Sequence, residues 1–149
     1  LELTAVMTNR AGAVPRWVRI FSLLFAVANL VYGIAGYATS AILFPDLDGT
    51  GLGPTSPIVL HAVRELTARN LAIGVALLLV SLRGVPESIA IVMIIRALVE
   101  LQTVILAVTG AGEVPVGVPG IVVPLVFFAF EVVVVRTMVG VIGKLERAG

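Results

Sequence analysis

Between His61 and Asn70 the chain reads His-Ala-Val-Arg-Glu-Leu-Thr-Ala-Arg-Asn, which puts three charges and its one histidine into a segment otherwise suited to lipid. From Ile58 to Leu82 the sequence has the length and apolarity of a membrane span, with thirteen Leu, Ile and Val residues. In mid-membrane each Arg or Glu costs about 2.5–3.5 kcal/mol, while each Leu, Ile or Val returns about 0.3–0.6 kcal/mol. Thirteen aliphatics and three charges therefore about cancel. The helix gains little by inserting alone, and its charges are expected to meet partners on other helices.

His61, Arg64, Glu65, Ala68, Arg69 and Ala72 follow the i, i+3, i+4, i+7 rule and share one helix face. Arg96, Glu100, Thr103 and Ala107 do the same in a later apolar run, and Glu131 stands near the midpoint of the last one. The first run adds Asn29 and Tyr32. Three arginines (Arg64, Arg69, Arg96) against three carboxylates (Glu65, Glu100, Glu131) give a cluster that is neutral overall. Glutamates in unlike surroundings can divide into acid and base at neutral pH, because burial and a neighbouring Arg act on them in opposite directions. Glu100 and Glu131, with Glu65 as a third, are the candidate acids and bases. Arg64, Arg69 and Arg96 would orient them and stabilise developing negative charge. Asn29, Tyr32, His61 and Asn70 complete the candidate substrate-binding set, Asn and Tyr being able to position a water or an oxygen.

Such a set suits epoxide opening, cyclisation or double-bond isomerisation, none of which needs a metal or redox cofactor. The competing account is a structural salt-bridge network that fixes helix register, since buried pairs are tolerated when mutually satisfied. Asn29 and glycines could fix register at lower cost, and intramembrane ionisable groups usually mark function. A functional role for the set is therefore expected.

Other motifs have plainer explanations. His61 and Glu65 lie one turn apart but lack a third strong metal ligand, so a hydrogen-bonding role is expected and no metal or cofactor. Asp46-Leu-Asp48-Gly49 has its Gly too early for a calcium loop, and Pro57 stands where the bidentate Glu would be. Gly110-x-Gly112 follows a helix rather than a strand and is no nucleotide fingerprint. Arg136 is expected to snorkel to a membrane face, and Trp17 to sit in an interfacial aromatic belt.

Composition narrows the field further. The chain of 149 residues is 59% hydrophobic and 13% charged, with a mean hydropathy of +1.13. Soluble domains carry about 25% charged residues, so this chain would have little surface to offer water. A net charge of +1 with no basic stripe does not fit a nucleic-acid reader. Having no cysteine excludes disulfides, thiolate catalysis and Cys-ligated centres, and one histidine excludes a multi-histidine metal site within one chain.

Four apolar stretches are long enough to cross a hydrocarbon core: Trp17–Thr39, Ile58–Leu82, Glu87–Thr109 and Ile121–Ile142. Their backbone polar groups must be satisfied within each segment, so all four are predicted helices. The expected fold is an all-α integral membrane bundle of four transmembrane helices, left-handed, with consecutive helices antiparallel. Ala26, Asn29, Gly33 and Gly36 form a small-residue face on the first helix that permits close packing. Arg10, Arg16, Arg19, Arg83, Lys144 and Arg147 fall on one side of this layout, which predicts both termini in the cytoplasm, in a bacterial cytoplasmic membrane. Residues 1–16 form an N-terminal tail and 17–149 a single transmembrane domain. Residues 1–6 precede Met7 and are expected to be a processing remnant. A similarity between Arg64-x-Leu66-x3-Asn70 and Arg96-x-Leu98-x3-Gln102 is too short to define a repeat.

With four short spans, no cysteine and charges inside the second and third, the chain resembles small four-helix membrane proteins of the DoxX-like kind, with Arg64-Glu65 to Asn70 the nearest thing to a motif. The resemblance implies the fold from Trp17 to Ile142 more than a role. In chemistry alone, the charge set is similar to that of integral-membrane cyclases and isomerases acting on isoprenoid or polyketide substrates. The expected function is cofactor-independent acid–base catalysis on a lipophilic small molecule, with membrane lipid around it. The alternatives are a proton-coupled carrier, which with four helices would need to be a homo-oligomer, and an accessory subunit whose charges pair with a partner's helix.

Overall fold

The computed structural model describes residues 12–38, 57–109 and 118–148. Within them lie four helices and no strand: α1 (Arg16–Ala38), α2 (Pro57–Arg83), α3 (Pro86–Thr109) and α4 (Val118–Ala148). Each is long and apolar enough to cross a membrane, and the chain is an all-α integral membrane protein. The expected features at residues 1–6, at Asp46 and Asp48, and at Gly110-x-Gly112 lie outside the described residues. Helix ends agree with the apolar runs except in α4. It continues past Ile142 to Ala148, its last turn closed by Arg147 Nε donating to Gly143 O at 2.8 Å. Pro124 lies within α4 and removes one backbone donor from it.

The pattern of burial is the one lipid selects. Ser22, Asn29, Thr67, Ser81, Glu100 and Glu131 are buried, while Leu24, Ile34, Leu82, Leu98 and Val108 are more than half exposed. A soluble protein rarely leaves apolar surface of this extent open; acyl chains can cover it, and polar groups then belong inside.

The chain divides into two compact units, one of residues 20–79 and one of the N-terminal segment through Arg19 with residues 80–149. In the first, Ser22, Ala26, Asn29, Gly33 and Gly36 form the buried seam of α1, and Val63, Thr67, Gly74 and Leu77 that of α2. Steps of three and four residues give the 3.5-residue spacing of knob-into-hole packing. The contact is reciprocal. A Cβ on Gly33 would lie 2.6 Å from Leu71 Cγ and 3.1 Å from its backbone N, and one on Gly74 would lie 2.9 Å from Leu30 Cγ and 3.0 Å from its N. Each helix lays a leucine over the other's glycine. Without a hydrophobic drive between helices in lipid, such close backbone approach supplies the association energy.

In the second unit α3 packs along α4. Pro86, Ile89, Ala90, Met93, Ala97 and Glu100 form the buried seam of α3, and Glu131, Val134 and Met138 that of α4. The turn from α2 into α3 follows from its sequence. Gly84 takes φ 66° and donates its N–H to Val80 O at 2.9 Å, ending α2 with a left-handed residue. Pro86 then opens α3 where a missing N–H costs nothing, and Val85 O accepts from Ile89 N at 3.1 Å.

Candidate functional site

The seam between α3 and α4 is apolar except where Glu100 and Glu131 occupy core positions. Arg96 lies one turn before Glu100 on α3 and makes an ion pair with it. The same guanidinium reaches across to α4, with Nε 3.3 Å from Glu131 Oε1. The three side chains are 12%, 9% and 0% exposed, so one cation serves two carboxylates away from solvent. Arg96 stands ten residues into α3, about 15 Å from its start, and Glu131 thirteen residues into α4, about 20 Å. Both depths fall well inside a hydrocarbon core of about 30 Å.

Two features of this trio bear on chemistry. Two carboxylates and one guanidinium give the trio by itself a formal charge of −1, and isolated buried charge is expensive. Both Glu131 oxygens are buried and have no hydrogen-bond partner among the described residues. Oε1 stands at ion-pair distance from Arg96, and Oε2 has neither an ion-pair nor a hydrogen-bond partner among those residues. Met93 and Ala97 on α3, with Val134 and Met138 on α4, supply buried apolar neighbours along the same seams. Among the described residues, no group of three His, Cys, Asp or Glu side chains is placed to hold a metal ion.

The remaining candidates separate by exposure. Asn29 is 5% exposed; its Nδ2 donates to Phe25 O at 2.8 Å, and its Oδ1 is buried without a partner among the described residues. Tyr32 is 54% exposed, because the buried seam of α1 runs through 26, 29, 33 and 36 and position 32 faces away from it. Asn70 is half-buried and donates from Nδ2 to Leu66 O at 2.9 Å.

The expectation of six interior charges is corrected on α2. His61, Arg64, Glu65, Ala68, Arg69 and Ala72 do share one face, but that face is exposed. His61 Nε2 lies 3.3 Å from Glu65 Oε1, with the two side chains 77% and 72% exposed. The inward side of this stretch is held instead by Val63 and Thr67, the latter donating to Val63 O at 2.6 Å. Ser22 and Ser81 were not anticipated. Both are buried with hydroxyls that have no partner among the described residues. The signal for Ser22 was present, since it stands four residues before Ala26 and seven before Asn29 on the same seam.

No protein family, curated protein or solved structure matches the chain.

Proposed function

We propose that the protein is an integral membrane enzyme that performs cofactor-independent acid–base chemistry on a lipophilic small molecule, with Glu100 and Glu131 transferring protons and Arg96 orienting both. The reaction class is epoxide hydrolysis, cyclisation or isomerisation. The observation that carries this reading is the buried Glu100–Arg96–Glu131 trio, with Glu131 Oε2 unpartnered in mid-span. One proton held by the two carboxylates makes the trio neutral and leaves one acid and one base against the same ligand. In epoxide opening, the protonated carboxyl gives its proton to the epoxide oxygen as the C–O bond breaks. The ionised carboxylate takes a proton from the attacking water. The proton has then changed carboxylates and returns before the next turnover, between groups that Arg96 holds together. A purely apolar seam would offer no such pair. The proposed setting is a bacterial cytoplasmic membrane with both termini inside, supported by the one-sided distribution of Arg and Lys.

The test is turnover of lipophilic epoxides, enones and polyenes by purified protein in lipid nanodiscs, in H2 18O or D2O. Product should carry 18O if an epoxide is opened, or deuterium if a double bond moves. Glu131→Gln should lower the rate by about 10²–10⁴-fold, the usual contribution of a general acid or base, while helicity and elution volume stay unchanged. Failure of every substrate class to acquire the isotope would reject the proposal. Transmembrane flux of the same compounds driven by a pH gradient would favour the carrier, for which a mid-span carboxylate pair can also load and release a proton.

A further inference from the structure

The outward stripe of α2 changes character along its length. It begins with His61, Arg64, Glu65 and Arg69, all exposed, and continues as Ala72, Val75, Leu79 and Leu82, also exposed. Glu65 is engaged by His61, whereas neither Arg64 nor Arg69 has an ion-pair partner among the described residues. The polar end therefore carries two guanidinium groups to one carboxylate, a net positive charge, directly above an apolar track.

Helix length sets the depth of this boundary. Nineteen residues separate Arg64 from Arg83, about 28 Å at 1.5 Å per residue, close to the hydrocarbon thickness of about 30 Å. With Arg83 at one headgroup layer, Arg64 stands at the other. Arg69 lies about 7.5 Å below Arg64, within the reach of a snorkelling arginine.

We infer that Arg64 and Arg69 form a binding site for the phosphate of an anionic phospholipid, with an acyl chain of the same molecule lying along Ala72, Val75 and Leu79. Both halves of the stripe match that ligand: two guanidinium groups without an ion pair among the described residues at headgroup depth, and an apolar track leading from them toward the bilayer centre. A second copy of the chain fits less well, because a two-fold contact through this face sets its basic residues against themselves. The charges that made α2 costly to insert alone thus become the means of fixing its depth, through lipid rather than through other helices.

The experiment is native mass spectrometry of the full chain released from micelles containing equal amounts of phosphatidylglycerol and phosphatidylcholine with identical acyl chains. Wild type should retain phosphatidylglycerol preferentially. The preference should fall about fivefold for each arginine replaced, as for basic residues near an anionic surface, so Arg64→Gln/Arg69→Gln should lose nearly all of it. Arg64→Lys/Arg69→Lys should keep most of it, since the charge remains. Inorganic phosphate at the same concentration should displace none. Equal retention of the two lipids by wild type, unchanged retention in the Gln variant, displacement by inorganic phosphate, or a dimer that the Gln substitutions dissolve would each overturn the inference.

Discussion

Replacing Arg96 by Met keeps most of the side-chain volume and removes the only cation from the α3–α4 seam trio. At the 3.3 Å Nε–Oε1 separation from Glu131, an effective dielectric of about 20 gives an attraction of about 5 kcal/mol. Glu100 contributes a second attraction through its own ion pair. Against these stands the recovered cost of having buried the guanidinium, so the net loss is smaller than their sum. Breaking a buried pair by removing one partner typically costs about 3–5 kcal/mol, because the other charge is left uncompensated, and Arg96→Met is expected in that range. Adding Glu100→Gln and Glu131→Gln removes the stranded charges and should restore more than half of the loss, although the triple variant lacks both ion pairs of the trio. The assay is equilibrium unfolding in mixed micelles titrated with a denaturing detergent, followed by helical circular dichroism and by the fluorescence of Trp17, the chain's one tryptophan. A loss below about 1 kcal/mol for Arg96→Met, or a triple variant no more stable than the single, would refute the electrostatic account of the seam.

Four further outcomes follow from the same geometry. Gly33→Ala and Gly74→Ala should each destabilise the protein by about 1–3 kcal/mol in the same titration, since the added methyl meets a leucine and its backbone nitrogen. Gly84→Ala should cost about 1–2 kcal/mol, because an L side chain at φ 66° is strained, and should lower the thermal midpoint. Asn29→Ala should change stability by less than about 1 kcal/mol, as it removes one satisfied amide donor and one buried acceptor that has no partner. Glu100→Gln should retain the native circular dichroism spectrum and elution volume while slowing turnover by about 10²–10⁴-fold.

Much of the fold was legible because lipid imposes simple demands on sequence. Apolar runs of about twenty residues marked all four helices, and Arg83-Gly-Val-Pro86 carried the residues that stop one helix and start the next. The small-residue face of Ala26, Asn29, Gly33 and Gly36 was readable too, since only close packing gives such a stripe a purpose. What periodicity could not supply was the rotation of each helix about its own axis. His61-Arg64-Glu65-Arg69 and Arg96-Glu100 show the same three- and four-residue spacing, yet the first set is exposed and the second buried. In a soluble protein the apolar stripe would have told them apart. Here apolar residues occur on every side of a helix, so the stripe cannot say which side faces in. Depth along α2 is a separate matter from rotation: the charges occupy the first half of Ile58–Leu82, and the roughly 28 Å between Arg64 and Arg83 lets the first of them reach the headgroups.

The most direct test of a reaction centre at Arg96, Glu100 and Glu131 is to compare, by mass spectrometry, the non-lipid small molecules extracted from purified wild type and from Glu131→Gln. A reacting site should hold product on the wild type and accumulate unreacted substrate on the variant, the two differing by one water or by the position of a bond. The same molecules in the same proportions on both proteins, or bulk membrane lipid alone on each, would contradict it.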